Sequence, residues 1–217
     1  APAILSFDRA PLSYAALRTL VEQTGKRLRA AGVEREDRVA LVLPNGPSMA
    51  TACLAVSATA TCVPLNPDNT EAELLALLEL LRLDVLITSP RVPAAARNAA
   101  EHLERPIIEI DLEAGAESGA FCLRDLADSD ETLPSTAGEE SLGEATELDD
   151  IAFVLHTSGS TSSPKVVPLT HRNRLASARY VADSLELAAN DRCLHMLPLF
   201  QVGALVDLLL APLSRGG

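Results

Sequence analysis

An α/β fold is predicted, a doubly wound and mostly parallel sheet flanked by helices, and three observations carry that expectation. Short apolar runs alternate with helical stretches, the connections between them are brief, and Gly, Pro or Asn marks most boundaries. A length of 217 residues suits one large domain or two small ones with a buried core. Aromatic residues are only 3% of the chain and Trp is absent, so Leu, Val, Ile and Ala must build that core.

The elements follow in order. "PLSYAALRTLVEQTGKRLRAAGV" sets Leu17, Leu20, Val21 and Leu28 on one helical face, with Ser13 as N-cap and Gly32 as the stop. "RVALVLP" (Arg38–Pro44) is a short apolar run between turn signals, as in a buried strand. "SMATACLAVSATA" reads as a helix of small residues and "TCVPLNP" as a second strand. "EAELLALLELLRL" (Glu71–Leu83) is a helix and "DVLITSP" a third strand. "VPAAARNAAEHL" and "PIIEID" repeat the pattern. From Glu113 to Asp150 the text turns acidic and rich in Ser, Thr and Gly, and most of it reads as surface loop or linker. Beyond it come an apolar strand over Ile151–Leu155, a hydroxyl-rich loop, and a helix capped by Thr170. "RCLHMLPLF" predicts one more strand and "GALVDLLLAPLSRGG" the start of a helix. The expected organisation is an α/β subdomain over 1–112, an acidic connection over 113–150, and a strand–loop–helix segment over 151–217 that starts the next subdomain.

Charge and composition exclude some classes of function. A net charge of −12 leaves no basic stripe to displace counterions from nucleic acid. The apolar runs are too short for a membrane span and no signal peptide opens the chain. Cys53, Cys62, Cys122 and Cys193 are widely spaced with no Cys-x-x-Cys pair, so buried free thiols in a reducing cytoplasm are expected. The opening "APAILSF" and the closing "LSRGG" read as cuts in a longer polypeptide.

The chemistry lies in "VLHTSGSTSSPKVVPLTHRN". Directly after an apolar strand, residues Thr157 to Ser163 are hydroxyl residues with one glycine, followed by Pro164 and Lys165. A Gly- and hydroxyl-rich loop after a strand presents backbone N–H groups to anionic oxygens, and a lysine adds a mobile point charge. Such clusters also make ordinary turns, and composition alone does not separate the two. The Walker A pattern fails, because Pro164 stands in place of its second glycine and Val166 in place of its magnesium-binding hydroxyl. A serine-nucleophile elbow around Ser158 is absent as well.

The order "TSGSTSSPK" resembles the phosphate loop of the adenylate-forming superfamily, whose pattern runs Thr-Ser-Gly-Ser/Thr-Thr-Gly-x-Pro-Lys-Gly. That superfamily holds acyl-CoA synthetases, adenylation domains of peptide synthetases and firefly-type luciferases. The segment "LSYAALRTLVEQTGKRLRAAGVEREDRVALVLPNGPSMATACLAVSATATCVPLNP" is similar to the superfamily's opening portion, and "THRN" and "LPLF" fit further along. The form of the loop is similar to that of small-acid CoA ligases, including plant-type oxalyl-CoA synthetases. Related domains also load polyketide and peptide megasynthases.

The resemblance implies that Thr157, Ser158, Gly159, Ser160, Thr161, Ser162 and Lys165 bind the β- and γ-phosphates of ATP, with Thr161 toward Mg²⁺. It implies attack of a carboxylate on the α-phosphate, then acyl transfer to CoA or to the phosphopantetheine arm of a carrier protein. Lys165 would accompany the leaving pyrophosphate. Gln201 stands where the family often has a histidine near the carboxylate, and can donate a hydrogen bond but cannot titrate. Ser162 and Val166 replace glycines, and Val166 raises a backbone question, since β-branched residues are costly at positive φ. His156 is expected to pack at a strand end and His171 to lie on the surface of a first helical turn. His102 and His195 show no partner at a readable spacing. The family's aromatic-Gly-x-Thr-Glu segment, ribose-binding Asp, hinge and C-terminal Lys would lie beyond Gly217. The chain alone is therefore expected not to turn over. A non-catalytic nucleotide-binding module that keeps the fold is the alternative.

Overall fold

A computed structural model describes residues 1–112, 117–124, 146–157 and 164–216. Strands β1 (Pro2–Ile4) and β2 (Leu12–Ser13) pair antiparallel as a small ribbon in front of helix α1 (Tyr14–Ala30). Ser13 caps α1 as predicted, its Oγ accepting from the Ala16 N–H at 3.1 Å. Strand β3 (Arg38–Val42) follows, then α2 (Pro47–Ser57), β4 (Thr61–Pro64), α3 (Glu71–Leu80), β5 (Val85–Thr88), α4 (Ala95–His102) and β6 (Ile107–Asp111). Each lies where an apolar run or helical stretch predicted it. Gly46, at φ +147°, lets the chain swing out of β3, and Pro47 opens α2 at a position where no N–H is needed. Thr70 and Glu73 close a capping box at the start of α3.

Strand β7 (Cys122–Leu123) lies inside the stretch read from sequence as mostly surface connection, and it pairs antiparallel with β6. Its approach is anchored in the core. Phe121 and Ser118 are buried, and the Thr51 hydroxyl donates to the Gly119 carbonyl at 2.6 Å. Only glycine fits at 119. Its φ is +80°, and a β-carbon there would meet Thr51 Cγ2 at 2.8 Å and the Pro47 carbonyl at 2.9 Å.

Strand β8 (Ile151–Thr157) runs parallel to β4, and β9 (Lys165–Thr170) runs back antiparallel to β8. Among the described residues the strands form a seven-stranded sheet, ordered β7-β6-β5-β3-β4-β8-β9, beside the β1–β2 ribbon. The five central strands are parallel and both edges antiparallel. Residues before and after the acidic stretch thus share one sheet. Strand β9 stands where the sequence predicts the loop to lead straight into a helix.

The two faces of β3 divide the core by the two-residue strand period. Val39 and Leu41 pack with Leu28 of α1 and with Met49 and Cys53 of α2. Ala40 and Val42 pack with Leu74 and Leu78 of α3 and with Ala96, Ala99 and Ala100 of α4. Helices α2 and α3 leave adjacent strands β3 and β4 toward opposite faces, so a crevice opens between the carboxyl ends of those strands.

Helix α5 (His171–Ser184) follows β9 directly, capped by Thr170 and Asn173. The run "RCLHMLPLF" is not a strand in the structure. Leu194 and Met196 point into solvent, while Leu199 is buried in the core below β3. After it α6 (Val202–Leu205), a π-helical turn (Val206–Leu210) and α7 (Ala211–Arg215) form one continuous helical stretch. Ala178 and Ala182 of α5 pack against Val206 and Ala211. The Tyr14 hydroxyl donates to the Leu213 carbonyl at 3.1 Å and ties this layer to α1.

Candidate active site at the carboxyl ends of the strands

The hydroxyl-rich segment begins at the carboxyl end of β8, the side of a parallel sheet where α/β proteins bind ligands. Phe153, Val154 and Leu155 are buried and root β8, while the Thr61 hydroxyl donates to the Ile151 carbonyl at 2.9 Å. Only at Thr157 does the strand emerge into solvent.

Thr157 and Lys165 are direct partners across the β8–β9 ladder. Opposite residues of an antiparallel pair project on one face, so a hydroxyl and an ammonium stand side by side where the segment leaves and returns. Both are exposed. The expected phosphate-binding residues Ser158, Gly159, Ser160, Thr161 and Ser162 lie outside the described residues. Two of the sequence-predicted groups are therefore brought together, and this donor pair suits an anionic ligand. No group of three His, Cys, Asp or Glu suited to a metal occurs among the described residues.

Val166 follows Lys165 in β9, opposite His156. Among the described residues only Arg82, Glu104 and Glu186 are non-glycine positions with positive φ. Val166 is thus an extended strand residue, the environment β-branched side chains favour, and the steric concern over its backbone disappears. His156 is half-buried, and burial lowers its imidazole below the ordinary 6.5, so it is neutral at neutral pH.

The root of the hairpin is fixed by charge. Arg35 grips Asp150 with two donors at 2.7 and 2.6 Å, and that bond holds the Asp150 carboxyl below its ordinary range. His171, expected on the surface, is buried at the first turn of α5. Its pKa is lowered by burial first and then by Arg174, whose Nη2 lies 3.1 Å from His171 Nδ1. Arg174 also donates to Ser57 Oγ at 2.8 Å and stands 5.0 Å over the Phe153 ring. Burial pulls its pKa down to about 10, partly offset by Cys62 and Cys53. These two thiols are buried as predicted, whereas Cys122 and Cys193 are exposed. Nothing in the helical pattern of α5 marked Arg174 as an inward residue.

Gln201 sits exposed at the start of α6, its N–H donating to the Pro198 carbonyl at 3.0 Å and its own carbonyl accepting from the Leu205 N–H. His195 Nε2, 3.1 Å from the Ala204 carbonyl, has a backbone partner that no sequence spacing announced. Asn45, at the carboxyl end of β3, reaches the same segment: Oδ1 accepts from the Leu199 N–H at 3.0 Å and Nδ2 donates to the Leu197 carbonyl at 3.4 Å. No pattern in the sequence singles out Asn45.

Residues 1–217 match the family model described as "AMP-binding enzyme". The chain belongs to the AMP-binding enzyme family. Within it, the oxalate–CoA ligase of Arabidopsis thaliana is 36% identical over 211 residues, covering 94% of this chain and 39% of the relative. The ATP-bound crystal structure of MatB from Rhodopseudomonas palustris aligns over the whole chain and 41% of its own, with a TM-score of 0.75 and 22% identity. O-succinylbenzoate coenzyme A synthetase from Bacillus subtilis in complex with AMP gives 0.76 at 25% identity, over 98% and 50%. The chain spans about two fifths of the length of the curated relatives it matches. The chain shares its fold with these two structures, and its own sheet is mixed and flanked by helices. No helix among the described residues is long and apolar enough to cross a membrane.

Proposed function

We propose that this chain is the N-terminal portion of an AMP-forming acid–thiol ligase. Such an enzyme activates a carboxylate with ATP as an acyl-adenylate, then passes the acyl group to CoA or to a carrier-protein phosphopantetheine. The observation that carries the reading is the Thr157–Lys165 pair at the carboxyl end of β8, bracketing a run of hydroxyl residues in a chain of the AMP-binding family.

In this reading Lys165 holds a terminal phosphate oxygen of ATP, and Thr157, Ser158, Gly159, Ser160, Thr161 and Ser162 supply hydroxyl and backbone donors. Thr161 would hold Mg²⁺, which would neutralise polyphosphate charge. The work of the site is positioning and charge compensation rather than covalent catalysis. Gln201 donates a hydrogen bond to the carboxylate without taking a proton from it. The oxalate–CoA ligase relative points to a small acid as substrate. A non-catalytic nucleotide-binding module loses one of its two supports, because Val166 is accommodated in a strand.

The test is carboxylate-dependent ATP–pyrophosphate exchange by the full-length protein across a panel of small acids. Exchange with at least one acid is expected, and Lys165→Ala lowers it by about 10²–10³-fold, the loss typical of removing one transition-state donor. The isolated 217-residue chain gives none. ATP binding by the full-length protein without exchange for any acid overturns the ligase reading in favour of the module.

A further inference from the structure

The Leu197–Gln201 segment has no strand partner among the described residues, yet its course is defined. Leu199 is 1% exposed and plugs the core below β3. The Leu199 backbone N–H donates to Asn45 Oδ1, 3.0 Å away. With Nδ2 on the Leu197 carbonyl, the Asn45 amide spans the segment as a neighbouring strand's peptide group would. Asn45 is itself exposed, and lies between the buried Leu43 just past β3 and Gly46, the N-cap of α2. It stands at the crevice where α2 and α3 leave β3 and β4 toward opposite faces. Two residues past Leu199, Gln201 opens α6, its N–H bound back to Pro198. The Asn45 bridge at Leu197 and Leu199 and the Gln201–Pro198 turn thus overlap along one short backbone segment that ends at the start of α6.

We propose that Asn45 is a positioning residue for Gln201: by substituting for a missing strand it fixes the Leu197–Phe200 turn and so aims the Gln201 side chain at the substrate carboxylate. The inference rests on the ligase reading above, and adds a residue to it from the opposite end of the sheet sequence. An amide does what no other side chain of its length does here, since it needs both an acceptor and a donor on one rigid plane. Asp keeps the acceptor for Leu199 and loses the donor for Leu197. Ala loses both.

Two measurements on the full-length enzyme decide it. Amide hydrogen exchange at Leu199 rises about tenfold or more in Asn45→Ala and stays protected in Asn45→Asp. Pyrophosphate exchange in Asn45→Ala falls about tenfold, through the carboxylate KM or kcat and with the ATP KM unchanged, as expected of a misplaced contact. The double variant Asn45→Ala/Gln201→Ala is no slower than Gln201→Ala alone. Unchanged Leu199 exchange in Asn45→Ala overturns the bridge. Additive losses in the double variant overturn the link to Gln201, and so does a Gln201→Ala enzyme with full activity. A protein with no exchange activity for any acid fails the ligase reading instead, and takes the role in aiming with it, while Leu199 exchange still reports the bridge.

Discussion

Val166 and Arg174 show how single positions are decided by their surroundings. Val166 pairs with His156 in an extended strand, where its branched side chain fits, so a glycine there removes strand propensity. Val166→Gly is expected to lower stability by about 0.5–1 kcal/mol in urea denaturation, the usual deficit of glycine in a strand. Arg174 is a different case. Its guanidinium meets a hydroxyl, a neutral imidazole and a ring, and among the described residues no carboxylate pairs with it. Its Nε is buried without a partner. A desolvated cation with no countercharge contributes little, so Arg174→Met, which keeps the volume, leaves stability unchanged or raises it by about 1–4 kcal/mol. Arg174→Ala empties the site and costs about 1–3 kcal/mol. Equal losses from Met and Ala would show that the charge itself stabilises the fold.

Helix α5 and strand β9 meet at Thr170, whose hydroxyl accepts from the Asn173 N–H at 3.1 Å while Asn173 Oδ1 accepts from the Thr170 N–H. Thr170→Ala should cost about 1 kcal/mol, read as a shift in the denaturation midpoint. That cap was legible in the sequence, and so were β3 to β6, because buried central strands are continuous apolar runs and their helices carry local caps. Strand β9 was not. "KVVPLT" holds Pro168 and only three apolar residues, and it becomes a strand because β8 offers a free edge, where proline is tolerated. The reverse error came from "RCLHMLPLF", apolar enough for a strand but left without a neighbour, with Leu194 and Met196 outside and Leu199 inside. Edge pairing is a long-range property, and local text does not encode it. For the same reason the site was half legible. The hydroxyl run and Lys165 announced themselves by order, whereas Asn45 acts through a contact 154 residues away.

On the scale of the whole molecule, two stages of acid sensitivity follow from buried imidazoles and paired carboxylates. His156 and His171 both titrate below 6.5 when folded, through burial and, for His171, Arg174 as well, with Asp150 opposing. The unfolded chain therefore binds more protons below that pH, so this contribution to stability is complete above 6.5 and is lost as pH falls through the folded values. Asp150, held low by Arg35, behaves alike below its ordinary 3.8. The urea midpoint is expected to be level from about pH 7 to 8, to decline below about 6.5, and to fall again below about 4. His171→Gln should flatten the first decline. A midpoint independent of pH between 5 and 7 would show that the two imidazoles titrate normally in the folded chain.

The ladder pair Thr157–Lys165 has a further consequence, in evolutionary and engineering terms. A segment that leaves and re-enters at one fixed rung is anchored like a cartridge in a socket. Closure entropy grows slowly with length, about 0.6 kcal/mol for each doubling, so residues between the rungs can be added, removed or exchanged without disturbing β8 or β9. The socket belongs to the sheet, and the contents are free to diversify. Grafting a homologous insert of different length between Thr157 and Lys165 should then change the KM for ATP while leaving the melting temperature nearly untouched.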